Sequence, residues 1–190
     1  PASLRPRMEA ILRAAARMGR LVDDIVEVSS VMLGDLVLER QPVELGALAR
    51  KVVKAAARGT RSRRLRVEAE EPLYVLADPE RLGHALRHLV DNALRYAPTG
   101  EVRVELRRAE RGAELCVHDE GIGIPEDKQP HLFELFFRAH AGTPHDVGGM
   151  GIGLYLCREL LRLHGGSVRV QSTEGRGSTF CAWLPLEEVH

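Results

Sequence analysis

His88-Leu89-Val90-Asp91-Asn92-Ala93-Leu94-Arg95-Tyr96 is the stretch whose reading decides the fold. At helical spacing, His88, Asn92, Arg95 and Tyr96 fall at i, i+4, i+7 and i+8 and share one face. An amide, a guanidinium and an aromatic ring on one face offer a metal-directed oxygen, a phosphate clamp and a base-stacking surface. Taken alone, the same face is equally a polar helix surface in solvent. Asp78-Pro79 starts the helix, which runs through Tyr96 with Leu82, Leu86, Leu89, Val90 and Ala93 inward.

Outward from this helix the pattern is mixed. Toward the N-terminus, Val43 to Ala57 reads as a helix, and Arg63 to Glu68 and Leu73 to Leu76 as short strands. Toward the C-terminus, Glu101 to Arg107 and Ala113 to His118 alternate with period two, the mark of an antiparallel pair. A helix from about Ile152 to His164 follows, then strands at Ser167 to Ser172 and Ser178 to Leu184. This order predicts an α/β two-layer sandwich with a mixed, largely antiparallel sheet, and excludes a doubly wound parallel sheet.

Three further segments carry chemistry. Asp119-Glu120-Gly121-Ile122-Gly123-Ile124-Pro125 directly follows a strand. Two glycines two apart let a backbone approach a ligand closely, and a carboxylate at a strand end that accepts from an exocyclic amine would recognise adenine. Read alone, the segment is also a turn. No helix with a third glycine follows at Rossmann spacing. Gly148-Gly149-Met150-Gly151-Ile152-Gly153-Leu154 opens a helix and presents free N–H groups to phosphate oxygens. No Lys-Ser/Thr follows it, so it is not a Walker loop. Between these two lie Leu132-Phe133-Glu134-Leu135-Phe136-Phe137-Arg138 and a small, polar run from Ala139 to Val147. An apolar anchor followed by a flexible loop is how a ligand lid is built. Gly175-Arg176-Gly177-Ser178-Thr179-Phe180 reads as a tight turn into a strand.

Before Gln41-Pro42 the chain is different. Ile11, Ala15, Met18, Val22, Ile25, Ser29 and Met32 follow alternating steps of four and three, a heptad stripe on one long helix. A lone helix cannot bury such a stripe, so a bundle or coiled coil with another chain is expected. The 190 residues suffice for one domain and this appendage. The 27 basic and 27 acidic residues cancel, which argues against binding nucleic acid or a membrane surface by bulk attraction. No apolar run approaches the roughly 18 residues of a membrane helix. Cys116, Cys157 and Cys181 are odd in number and form no CxxC pair, so buried reduced thiols in a cytoplasmic protein are expected.

Taken in order, the four segments resemble the N, G1, F and G2 boxes of the sensor histidine kinase catalytic domain, a member of the GHKL superfamily with the Bergerat-type ATP-binding fold. The resemblance runs from about Val43 to Pro185 and includes Ala77-Asp78-Pro79-Glu80-Arg81-Leu82 and His164-Gly165-Gly166. Residues 1–41 look like the second helix of the dimerisation and phosphoacceptor domain, leaving 42–190 as the catalytic domain. The resemblance implies ATP and Mg²⁺ as cofactors. It gives Asp119 the adenine amino group, Asn92 the metal, Arg95 the phosphate chain and Tyr96 the adenine pocket. Gly121 and Gly123 make room for the nucleotide; Gly149, Gly151 and Gly153 hinge a lid and cradle phosphates. Arg138 matches a lid-base arginine that reaches the γ-phosphate, and Ser178 or Thr179 adds a hydrogen bond near adenine.

Two departures bear on activity. At His88 the hydrolysing members of the superfamily carry a glutamate base, so fast ATP hydrolysis is not expected; His88 is either a further metal or phosphate contact or a polar helix residue. The acceptor sequence His-Glu/Asp-x-Arg-x-Pro is absent, Leu4-Arg5-Pro6 being only a faint echo. The chain, opening at Pro1, is therefore expected to be part of a longer kinase, possessing a homodimer interface on its first helix and a response regulator as partner, with any membrane anchor upstream. The alternative reading is a nucleotide-sensing module that binds ATP without phosphotransfer.

Overall fold

A computed structural model describes residues 4–57, 65–69 and 71–186, arranged as two units, one up to Val37 and one from Leu38 onward. The first unit is a helix, α1 (Leu4–Leu33). Along it Ile11, Met18, Val22 and Met32 are each more than half exposed, so the heptad stripe is uncovered.

The second unit begins with β1 (Gln41–Glu44), which pairs antiparallel with β3 (Tyr74–Ala77). Between them lie α2 (Leu45–Ala57) and β2 (Leu65–Ala69). The helix expected from Val43 thus starts two residues later. Val43 is paired with Val75, and the Glu44 carboxylate accepts the N–H groups of Gly46 and Ala47 at 2.8 and 2.6 Å, capping α2. The expected start of β2 at Arg63 lies outside the described residues.

Next come α3 (Pro79–Tyr96), β4 (Val102–Ala109), β5 (Gly112–Asp119), a 3-10 turn at Glu126–His131, α4 (Gly153–Leu163), β6 (Ser167–Thr173) and β7 (Gly177–Pro185). The main sheet has the order β2-β4-β5-β7-β6, parallel only between β2 and β4. Leu115 and Val117 on β5 and Phe180, Ala182 and Leu184 on β7 are fully buried, as are Leu82, Leu86 and Leu89 of α3 and Leu156 and Leu160 of α4. The core is therefore the layer between helices and sheet, and the predicted α/β sandwich with a mixed, largely antiparallel sheet is the observed fold.

One buried node joins the two ends of the helical layer. Asp78 caps α3, its Oδ1 accepting from Glu80 N–H (3.0 Å) and Arg81 N–H (3.1 Å), and its Oδ2 from Glu39 N–H (3.1 Å). The Asp78 N–H donates to Nε2 of buried His164 at 3.0 Å, while His164 Nδ1–H donates to the Leu160 carbonyl at 2.7 Å. The imidazole is thus fixed as the neutral Nδ1–H tautomer, consistent with burial holding its pKa below the usual value.

The cysteine expectation is corrected. Cys116 and Cys181 are register partners on β5 and β7 and form a disulfide; Cys157 alone is free, buried in α4. Sixty-five residues separate the bonded pair, and only strand register brings them together. Both lie on the sheet face away from the helices, alternating with core residues, yet are 3% exposed. Glu114 explains this. Its two oxygens accept from Arg107 (3.0 Å to Nε) and Arg169 (3.1 Å to Nε, 2.6 Å to Nη2), and Arg169 is the register partner of Cys181. This clamp roofs the sulfurs. Although burial pushes the Glu114 pKa up, hydrogen bonds from both arginines hold it below the usual carboxylate range.

Candidate functional site

Strand β5 ends at Asp119, whose register partner is Ser178 at the start of β7. The carboxylate is 7% exposed. Its Oδ1 accepts the Gly121 N–H at 2.9 Å, and the Ser178 N–H also bonds it. Burial outweighs both donors and pushes its pKa to about 6. At neutral pH this is an ionised carboxylate in a poorly hydrated place with lone pairs to spare. A cavity of about 460 Å³ lies beside it, lined otherwise by Gln129 and by residues of β6, β7 and their turn, among them Val170, Ser172, Arg176 and Ser178, and by no residue of α3. The Ser178 hydroxyl lies 2.9 Å from that of Ser172. Thr179 points to the other sheet face, where its hydroxyl is 2.9 Å from His118 Nδ1; of the two hydroxyls, Ser178 is the one on the Asp119 side.

The turn after Asp119 is pressed onto the end of α3. Ile122 N–H donates to the Tyr96 carbonyl at 3.3 Å. A Cβ on Gly121 would stand 2.4 Å from that same oxygen, and one on Gly123, at φ +66°, 2.0 Å from Thr173 O. No side chain fits at either position. Asn92 and His88 are half-buried one and two turns up α3 from Tyr96, and Arg95 is exposed.

The segment from Leu132 to Ile152 lies against α3 and the glycine turn. Leu132 is buried, but Phe136 is 63% exposed, which corrects its reading as part of an apolar anchor. Its φ of +68° is held by its N–H on the Gly151 carbonyl at 2.9 Å, a backbone conformation uncommon for a bulky residue. Gly149 (φ +117°) lies against Arg95, Gly151 against the backbone of Phe136 and Phe137, and Gly153 against His88, where a Cβ would be 2.9 Å from Nδ1. Arg95 Nη1 donates to the Gly148 carbonyl at 3.1 Å. Arg138 is ion-paired with Asp146.

His140 had no role in the sequence reading. It is buried, its Nε2–H donates to the Gly123 carbonyl at 3.0 Å, and its ring centroid is 5.4 Å from that of Tyr96. It therefore ties the segment from Leu132 to Ile152 to both the glycine turn and α3. Burial, the main cause, raises the Tyr96 phenol pKa, so the ring stays neutral. No spacing rule flags His140, because its partners are a carbonyl 17 residues away and a ring 44 residues away.

The arrangement is thus a buried acceptor at a strand end, an amide and a guanidinium on α3, and a glycine-rich loop resting on Arg95 and His88 of that helix. The family model for the histidine kinase-, DNA gyrase B- and HSP90-like ATPases matches residues 77–188, and the chain belongs to this family. Within it, the relatives are sensor histidine kinases of two-component systems, and this chain is an ATP-binding catalytic domain of that kind. The circadian input-output histidine kinase CikA of Synechococcus elongatus is 33% identical over 97% of this chain and 25% of its own length. The sensor-like histidine kinase SenX3 of Mycobacterium tuberculosis is 34% identical over 96% of this chain and 46% of its own. The chain thus spans less than half of either relative. Among solved structures, the mycobacterial sensor histidine kinase MprB superposes with a TM-score of 0.68 at 29% identity, over 78% of this chain and 98% of that one. Full-length ShkA in complex with AMPPNP shares the fold, with a TM-score of 0.78 at 22% identity over 96% of this chain and 38% of that one. Among the described residues, no helix is long and apolar enough to cross a membrane.

Proposed function

We propose that this chain binds Mg-ATP and transfers the γ-phosphate to a histidine nitrogen on a bundle helix that these 190 residues do not supply, for relay to an aspartate of a response regulator. The observation that carries the reading is Asp119: a 7%-exposed carboxylate with its pKa raised to about 6 and spare acceptor capacity at the end of a core strand. It accepts the exocyclic amine of adenine and repels the carbonyl that guanine presents there. Gly121 and Gly123 admit the base, Tyr96 lines its pocket and Ser178 adds a hydrogen bond from β7.

Phosphate handling falls to α3 and the lid. Asn92 offers one neutral oxygen, which fits Mg²⁺, an ion that keeps several waters and takes one or two protein oxygens beside the phosphates. When bound, the metal neutralises phosphate charge and orients the chain of phosphates. Arg95 and Arg138 hold phosphate oxygens, and Gly149, Gly151 and Gly153 bring backbone N–H groups against them. His88, packed on Gly153, stands where the hydrolysing relatives carry a glutamate base, and with no carboxylate at that position fast ATP hydrolysis is not expected. Catalysis is positioning and charge neutralisation. The exposed heptad stripe of α1 supports a homodimer through residues 1–41, with residues 42–190 as the catalytic domain acting in the cytoplasm. No nucleic-acid or membrane contact is needed.

The test combines the chain, ATP labelled on its γ-phosphate with Mg²⁺, and a separate helical bundle bearing an acceptor histidine. Acid-labile label appears on the bundle and is lost with Asn92→Ala. ATP binding without any label transfer would instead make the chain a nucleotide-sensing module.

A further inference from the structure

The lid carries an anion of its own, and it sits on the donors that phosphate needs. Asp146 pairs with the Arg138 guanidinium through Nη2. Its Oδ1 also accepts the Gly148 N–H at 2.8 Å, and its Oδ2 the Gly142 N–H at 3.2 Å. The carbonyl of the same Gly148 takes Arg95 Nη1 at 3.1 Å. Two positions on one short segment, Asp146 and Gly148, therefore engage both guanidiniums assigned above to the phosphate chain. The match is incomplete: Arg138 Nε is buried and makes no hydrogen bond.

A carboxylate brings one charge and two oxygens to this place. A terminal phosphate brings more charge and three oxygens, enough to reach the donor Asp146 leaves unmet. We propose that Asp146 is a built-in counter-ion that competes with nucleotide phosphate for Arg138 and the glycine-rich loop, so that a nucleotide must carry enough phosphate charge to displace it. The inference rests on the nucleotide reading of the site. It makes Asp146 a determinant of selectivity among ligands that share adenine: adenosine has nothing to exchange for the carboxylate, ADP has some, and ATP most. Displacement also frees residues 146 to 148 from Arg95 and Arg138 together, because Asp146 and the Gly148 carbonyl lie on one short segment. Phosphate binding and lid release are then a single exchange.

Calorimetric titration of the wild type and Asp146→Asn with Mg-ATP, Mg-ADP and adenosine tests this. Asparagine keeps an oxygen for the Gly148 N–H while removing the charge. The variant is expected to bind Mg-ATP about fivefold more tightly, Mg-ADP by a smaller factor, and adenosine within twofold of wild type, in line with the strength of partly exposed ion pairs. Raised salt shrinks the gain. Unchanged or weaker ATP binding in Asp146→Asn, or an equal gain for adenosine, overturns the proposal while leaving the nucleotide site intact. A wild-type chain that binds neither ATP nor adenosine fails earlier, at the reading of the site itself. Asp146→Ala separates charge from loop geometry: it tightens ATP binding like the asparagine variant if charge competition governs. If Asp146→Ala weakens ATP binding while Asp146→Asn leaves it unchanged, the residue only shapes the loop and the proposal is wrong.

Discussion

Asp78 and Asp119 are both 7% exposed, yet their surroundings treat them in opposite ways. Burial pushes each carboxyl pKa up. At Asp78 three backbone N–H groups outweigh it and hold the pKa below the usual 3.8, whereas at Asp119 two donors do not and it rises to about 6. The first sits where α3 begins and spends its acceptors inside the fold, on Glu39, Glu80 and Arg81. The second sits where β5 ends and keeps acceptor capacity for something else. A fold satisfies its buried polar groups, so an under-satisfied one marks the end of the molecule that awaits a ligand.

The largest effect is expected on stability at the satisfied carboxylate. Asp78→Ala removes the α3 cap and leaves the Glu39 N–H without its acceptor, a loss of about 2–3 kcal/mol. Urea unfolding should show it, while the folded variant binds ATP within about twofold of wild type. A large loss of nucleotide affinity in a folded Asp78→Ala would erase the contrast, since both carboxylates would then serve the site.

Next in size is affinity at the other carboxylate. Asp119→Asn should weaken ATP binding by about tenfold or more, because an amide offers a weaker acceptor and a misplaced donor to adenine. Thermal unfolding at pH 7 should show no loss of stability, since the substitution also removes a poorly solvated charge. A variant that loses stability and keeps its affinity would put Asp119 in the same structural class as Asp78.

Much of this contrast was legible before the fold was known, for stated reasons. Helix periodicity and the Asp78-Pro79 start placed α3 to the residue, and period-two alternation placed β4 and β5 within a residue or two. Asp119, Gly121 and Gly123 stand out through the order of the four segments, since a carboxylate and two glycines after a strand are, read alone, also a turn. Everything that depends on long-range register was hidden. The Cys116–Cys181 bond joins residues 65 apart on two strands, and Val43 and Glu44 of β1 read as the start of the following helix because so short a strand carries little periodicity. His140 and Asp146 make their contacts from an irregular loop, where neither a period of two nor of 3.6 applies. Phe136 looked like an anchor because composition alone cannot tell an exposed aromatic from a buried one.

The smallest effect is in the pH response, and it separates the two aspartates by sign. Asp78, with a depressed native pKa, adds stability that is present above the unfolded value near 3.8 and lost as pH falls through the native one. His164, also depressed, adds stability that is lost as pH falls below its usual 6.5. Asp119 runs the other way. Its raised pKa makes the native state hold an extra proton between about 4 and 6, a contribution to stability that is present below about 4 and lost as pH rises through 6. The wild type should therefore lose stability relative to Asp119→Asn as pH rises from 5 to 7, while its ATP affinity climbs a few-fold over the same range as the carboxylate ionises. The asparagine variant should lack that climb. Opposed slopes of stability and affinity at one residue are what a carboxylate shaped for a ligand requires; parallel slopes in wild type, or an unchanged climb in Asp119→Asn, would assign the titration to another group and remove Asp119 from the adenine contact.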